Sequence, residues 1–254
     1  MMIFDFDGEV VWVVGATGAL GAMICRYLHD SGATVVASGR SPDKLRALQL
    51  ELGAKARLDT VQMDVRNDSA VTSTVRGIIA AHKHIDSLVN TTSVSRFADF
   101  LELGDDAWDE ILDSKLMSYV RTCRAVIPHM IAQGKGNIIN ISGRSARQPL
   151  PTHLPGGCAN AAVNLLSKGL ADRFYQDNIR VNVVAPGPIE SERFSAIDSS
   201  LEQHVARAKT GPIPPRKMGY PSDIAEAVLW LLSDRARHLN GIVLPIDGAS
   251  TVCV

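Results

Sequence analysis

Apolar positions in this chain fall into two kinds of run that alternate almost throughout. Short β-branched runs recur at EVVWVV (9–14), ATVVAS (33–38), ARLDTVQM (56–63), HIDSLVN (84–90), GNIINIS (136–142), IRVNVVA (179–185) and GIVLPI (241–246). Several are apolar at nearly every position, the pattern of strands buried on both faces. The segments between them have helical period: Leu20, Ile24, Tyr27 and Leu28 make one stripe, and Ile224, Val228, Leu231 and Leu232 another. Strands separated by helices require right-handed crossovers, so the pattern predicts a doubly wound α/β fold, a seven-stranded parallel sheet with helices on both faces. No linker, low-complexity stretch or repeat interrupts residues 1–254, and a single domain is expected. The least regular stretch, 187–220, is expected as an insertion over the carboxyl ends of the strands, where ligands bind in this architecture.

Composition narrows the picture chiefly by exclusion. The 254 residues are 46% hydrophobic with a net charge of −1, which argues against a disordered tail or coiled coil and gives no general attraction to nucleic acid or anionic lipid. The opening MMIFDFDGE is acidic, the first basic residue is Arg26, and no apolar run approaches the ~20 residues needed to span a bilayer. A soluble, cytoplasmic protein with neither membrane nor nucleic-acid partner is expected. Cys25, Cys123, Cys158 and Cys253 are dispersed, with no CxxC pair, so no metal site or disulfide framework is indicated. Cys158, early in a helix, reads as core.

The first strand runs into VVGATGALG and at once into a helix, with Gly15, Gly18 and Gly21 spaced as GxxGxxG. Glycine there permits a tight turn and close approach of a pyrophosphate, and the helix amino terminus presents free N–H groups and a favourable dipole. At the end of the second strand stand Gly39 and Arg40, with no carboxylate. An acid there would bind a ribose 2′-hydroxyl and an arginine a 2′-phosphate, so NADP(H) is expected over NAD(H).

From these residues the chain resembles the short-chain dehydrogenase/reductase family along nearly its whole length, which implies a Rossmann-like fold. GATGALG is similar to the family's TGxxxGxG loop, with Val14 for the Thr and Ala19 for the middle Gly; Thr17 and Leu20 complete it. MDV (Asp64, Val65), IDSLVN ending at Asn90, AWDEIL, IRVNVVAPGPIES and NGIVLPIDGA follow in family order. The resemblance implies cofactor contacts from Asp64 and Val65 beside the adenine, and from Asn90, Asn160, Pro186, Gly187 and Ile189. The family's NNAG reads NTTS here, residues 90–93.

The resemblance also implies catalysis by Ser, Tyr and a Lys four residues after the Tyr, with an Asn on the long fourth helix. The residues four after the chain's tyrosines, Tyr27, Tyr119, Tyr175 and Tyr220, are Ser31, Cys123, Ile179 and Ile224, so no YxxxK exists. Matching NLLSKGLADRF and GNIINIS to the family's flanking elements puts Gly143, Gly156 and Asn160 at the Ser, Tyr and Lys positions, and Lys115 at the Asn position. Lys115 lies on the apolar stripe Trp108, Ile111, Leu112, Leu116, Tyr119, Cys123, which predicts an inward side chain; burial would lower its pKa and suit it to acid, base or amine chemistry. The glycines imply a widened pocket. Replacement proton donors are expected from Ser145, which shares parity with Gly143, and from His153 in the loop before the helix, while Ser142 should face away.

Three functions follow as alternatives: an NADP(H)-dependent oxidoreductase with a rebuilt proton relay, a non-redox enzyme on the same scaffold, and a non-catalytic nucleotide-binding homologue. Arg144, Arg147 and Arg193 suggest a small-molecule substrate that is anionic or linked to an acyl carrier. By family analogy, a homodimer or homotetramer is expected, with Cys123, Ile127 and Met130 extending a stripe that could serve the interface.

Overall fold

The computed structural model describes residues 4–53, 57–94, 96–190 and 218–251. Seven strands, β1 (Val10–Val14), β2 (Thr34–Gly39), β3 (Leu58–Gln62), β4 (Ser87–Asn90), β5 (Gly136–Ile141), β6 (Ile179–Pro186) and β7 (Val243–Ile246), form one parallel sheet ordered β3-β2-β1-β4-β5-β6-β7. The helices among the described residues are α1 (Ala19–Asp30), α2 (Pro42–Leu52), α3 (Asp68–His82), α4 (Asp105–Leu112), α5 (Ser118–Gln133), α6 (Leu154–Phe174) and α7 (Pro221–Leu232). The strand order reverses between β1 and β4, so the carboxyl ends part there and leave a crevice.

Alternation of side chains sorts the two cores. Val11, Val13, Val35, Ala37, Ile139 and Ile141 pack against α1, α2 and α7. Trp12, Val14, Val36, Leu88, Ile138 and Val181 pack against α3, α5 and α6. All five residues of β1 are buried, as its near-continuous apolar run predicts. The helical stripes are used as predicted: Ile24 and Leu28 of α1, and Ile224, Val228, Leu231 and Leu232 of α7, are buried.

Three expectations are corrected. Cys158 is exposed, because α6 presents that position to solvent rather than to the sheet. Cys123, Ile127 and Met130 are buried in the chain's own core, so that stripe cannot serve a subunit interface. β4 begins at Ser87 and not at 84: Asp86 just before it still donates its N–H to the Val10 carbonyl and accepts the Asn137 N–H at its own carbonyl, while its carboxylate accepts the Val10 N–H at 2.8 Å and pairs with Lys135 and His84, and residues 84 and 85 lie outside the ladder.

Glu9 approaches the same buried carboxylate. Burial, and then the charge of Asp86, hold its carboxyl above the ordinary value of 4.5. The folded state therefore keeps the Glu9 proton to higher pH than the unfolded chain does, and Glu9 costs stability as pH rises above about 4.5. Glu9→Gln should raise the melting temperature at pH 7–8, with an advantage that shrinks to nothing as pH is lowered below that value; thermal melts across pH check it.

Candidate active site

A cleft of about 850 Å³ opens along the carboxyl ends of β1, β2, β4, β5 and β6. Its walls include Gly15, Thr17, Gly18, Ala19, Leu20 and Gly21, together with Arg40, Asp64, Val65, Lys115, His153, Asn160, Pro186, Gly187 and Ile189. Asn90 and Ser145 are not on its wall.

At one end the backbone itself is the binding surface. Gly15 has φ +86°, and a β-carbon at Gly21 would lie 2.3 Å from the Gly15 carbonyl oxygen, so any side chain at 21 would force the loop off the helix. Gly18 caps α1 without a side-chain hydrogen bond, and the first turn carries no acid. The free N–H groups and helix dipole there suit an anion. Thr17 packs on Gly39, where a β-carbon would meet its Cγ2 at 2.9 Å.

Four cations and one acid surround the β2–β3 side. Arg26 is committed to Glu51. Arg66 binds both oxygens of Asp64 and, through these hydrogen bonds, holds that carboxyl below the usual carboxylate range. Arg40 and Lys44 make no ion pair among the described residues and lie at the cleft edge. Lys44 and Arg66 escaped sequence reasoning because only folding carries the start of α2 and the β3–α3 turn to the Arg40 side of one cavity.

The other end is built from β4, β5, α5 and α6. Asn90 is fully buried and donates to Asn140 Oδ1 at 2.9 Å, while accepting from Thr122; it ties β4 to β5 and α5 beneath the cleft. The wall is made instead by Thr91, Thr92, Ser93 and Val94. Thr91 Oγ1 donates to the Val14 carbonyl at 2.8 Å, clamping β4 to the glycine loop. A π-helical turn, Asp113–Met117, turns Ser114 and Lys115 inward. Lys115 is 4% exposed, as its place on the stripe predicts. Its Nζ donates to the Ile141 carbonyl at 2.5 Å and lies 5.1 Å from the centre of the Tyr119 ring. Tyr119 Oη is also within hydrogen-bond reach of that carbonyl at 3.0 Å and of Thr92 O at 3.2 Å.

His153 stands opposite. Its Nδ1 is 3.1 Å from the Arg96 carbonyl, and its ring stacks on Phe97 with centroids 4.4 Å apart. A β-carbon at Gly156 would lie 1.9 Å from His153 Nε2: the imidazole rests on bare backbone where a side chain at 156 would begin. Asn160 Nδ2 donates to Ser145 Oγ at 3.0 Å, so Ser145 meets the cleft only through Asn160. Ser142, expected to face away, lines the cleft. Its N–H still donates to the Val184 carbonyl at 2.9 Å and its hydroxyl is buried; Gly143 then leads into a 3-10 turn, Arg144–Ala146. Arg144 and Arg147 line a separate cavity of about 150 Å³, with Arg144 donating to the Ser250 carbonyl at 3.0 Å. Arg193 lies outside the described residues, as does most of the 187–220 insertion. The insertion's base is pinned where Ile189 bridges Gly219. Cys25 and Cys123 have thiols pushed up to about 12 by burial and are not nucleophiles.

A family profile described as Enoyl-(Acyl carrier protein) reductase matches residues 15–251. The solved structure of a short chain dehydrogenase from Bacillus anthracis is 29% identical and covers 96% of each chain at a TM-score of 0.85. The chain belongs to the short-chain dehydrogenase/reductase family. Members of this oxidoreductase family bind a nicotinamide cofactor. Nodulation protein G of Rhizobium meliloti is 31% identical over 97% of this chain and 98% of its own. The 3-oxoacyl-(acyl-carrier-protein) reductase of Thermotoga maritima is 28% identical over 97% and 99%. The structure of L-sorbose reductase from Gluconobacter frateurii, complexed with NADPH and L-sorbose, is 26% identical, covers both chains fully and has a TM-score of 0.90. No helix among the described residues is long and apolar enough to cross a membrane.

The glycine cradle, an uncapped α1 and two uncommitted cations fit the family's cofactor. Gly21→Ala should lower affinity for the reduced nicotinamide cofactor at least tenfold and reduce the melting temperature by several degrees, read by fluorescence titration with NADPH and NADH and by thermal melts.

Proposed function

We propose that this protein is an NADP(H)-dependent oxidoreductase that interconverts a carbonyl and a hydroxyl on a small molecule, using a proton relay rebuilt around His153 and Lys115. The observation that carries the reading is the His153 imidazole lying over Gly156, the position where the resemblance puts the family's Tyr. With Nδ1 directed at the Arg96 carbonyl, Nε2 is the nitrogen on the Gly156 side. A proton moves from Nε2 to the substrate oxygen during reduction and returns to it during oxidation. Lys115, on the Ile141 carbonyl and the Tyr119 ring, supplies fixed positive charge for negative charge developing on that oxygen.

The nicotinamide cofactor, when bound, would supply or accept a hydride, one proton with two electrons. The first-turn N–H groups of α1 hold its pyrophosphate, and Arg40 and Lys44 its 2′-phosphate. Arg40 stands at the end of β2 with no acid there to receive a ribose 2′-hydroxyl, which favours NADP(H) over NAD(H); Asp64, on the adenine side, is engaged by Arg66. Asn160 keeps its carbonyl and second N–H for the nicotinamide ribose while Ser145 fixes its rotamer. An acyl-carrier-linked substrate is supported by relatives named for that activity and not by Arg144 or Arg147, which line the smaller cavity. A homodimer or homotetramer remains part of the reading, now resting on Met117 beside α5 and Leu165 of α6, 39% and 76% exposed.

His153→Ala should lower kcat by ~10²–10⁴ and leave NADPH affinity unchanged, measured by NADPH oxidation against a panel of ketones and aldehydes that includes acetoacetyl-CoA. Unchanged turnover would remove His153 from the relay. Arg40→Ala and Lys44→Ala should each weaken NADPH binding by ~10-fold or more and leave NADH binding as it was; equal losses for both nucleotides would overturn the 2′-phosphate assignment.

A further inference from the structure

Residues 96–98, between β4 and α4, return to the loop before α6 and grip His153. Arg96 contributes its carbonyl oxygen, 3.1 Å from His153 Nδ1. Phe97 lays its ring on the imidazole, with centroids 4.4 Å apart and planes inclined by 14°. Ala98 donates its N–H to the Thr152 carbonyl at 3.1 Å, which fastens the backbone one residue before the histidine. The Arg96 side chain is anchored in turn to Glu110 of α4, at 2.9 and 2.7 Å. Phe97 and His153 both line the cleft.

The chemistry follows from the kind of partner that Nδ1 has. A carbonyl oxygen only accepts, so Nδ1 donates, and the neutral ring carries its hydrogen there. Nε2, on the Gly156 side, is then the accepting nitrogen. Turning the ring over would set Cδ2 against the Arg96 carbonyl and forfeit the hydrogen bond, and the parallel Phe97 ring leaves little room for that turn. We propose that residues 96–98 are a positioning clamp that fixes His153 as the Nδ1–H tautomer, so that the ring accepts a substrate's hydroxyl proton as neutral imidazole and protonates a substrate's carbonyl oxygen only as imidazolium. In reduction the carbonyl carbon receives the hydride and its oxygen the Nε2 proton; the neutral ring left behind regains a proton from solvent, and oxidation runs the same steps backwards. The turnover number for reduction therefore falls with rising pH over the range in which that for oxidation rises. The charged side chains nearby are Lys115 on the facing wall, held by the Ile141 carbonyl, and Arg96, held by Glu110. The proposal rests on the relay reading above and adds to it Phe97 as a positioning residue and a protonation state for each direction.

Proton–nitrogen correlation spectra of protein labelled with nitrogen-15 in its histidines read the tautomer without turnover, and His153→Ala assigns the signal. Above the pH at which the ring titrates, the unmodified protein should show the Nδ1–H form and Phe97→Ala a mixture of the two tautomers. Phe97→Leu, which keeps bulk but loses the flat face, should behave as Phe97→Ala does, and Phe97→Tyr should restore the original spectrum. In turnover, Phe97→Ala and Phe97→Leu should lower kcat ~3–10-fold with KM within about twofold, Phe97→Tyr should regain kcat, and the opposite pH profiles of the two directions should be seen in the unmodified protein. An Nε2–H tautomer in the unmodified protein, or the original tautomer and kcat in both Phe97→Ala and Phe97→Leu, overturns the proposal while the relay reading stands. If His153→Ala turns over as the unmodified protein does, the relay reading falls and this proposal with it.

Discussion

A parallel sheet covered on both faces leaves its strand ends as the places where polar groups can meet a ligand, and this molecule obeys that constraint at every strand bordering the cleft. Val11, Val13, Ile139 and Ile141 fill one layer and Trp12, Leu88, Ile138 and Val181 the other, so the sheet itself meets a ligand only through residues at the carboxyl ends of its strands. Gly15 follows β1, Arg40 follows β2, Thr91 follows β4, Ser142 follows β5 and Gly187 follows β6. The close approach of Gly21 to the Gly15 carbonyl then sets α1 against the end of β1, and the direction of α1 determines where an anion can sit.

Within that frame, small residues and neighbouring side chains depend on one another. A β-carbon at Gly156 would collide with the His153 ring, and one at Gly143 would lie 2.9 Å from Asn160 Nδ2. Glycine at these two positions is thus the condition for the imidazole and the amide to be where they are. Lys115 follows the same logic from the opposite wall: a π-helical turn carries it inward, and a carbonyl and an aromatic face receive it. Burying a cation without such partners would be costly.

Periodicity and glycine spacing determined a good deal unaided. Alternating β-branched and helical runs specify a parallel sheet with covered faces because backbone groups and apolar side chains have few other ways to be satisfied together. GxxGxxG between the first strand and first helix specifies an anion site because it is made of backbone. Helical period points Lys115 inward, although the turn that buries it is π-helical and also buries Ser114. What the chain could not disclose is whatever depends on where regular structure stops. Cys158 sits on a helix whose apolar face is too weak to orient by period, and Arg144 and Arg147 line a neighbouring cavity at a 3-10 turn that starts at Arg144 itself. The contact of His153 with Gly156, and the convergence of Lys44 and Arg66 beside Arg40, join residues from separate elements. Only tertiary packing decides such contacts, since they depend on distances between elements that no local pattern encodes.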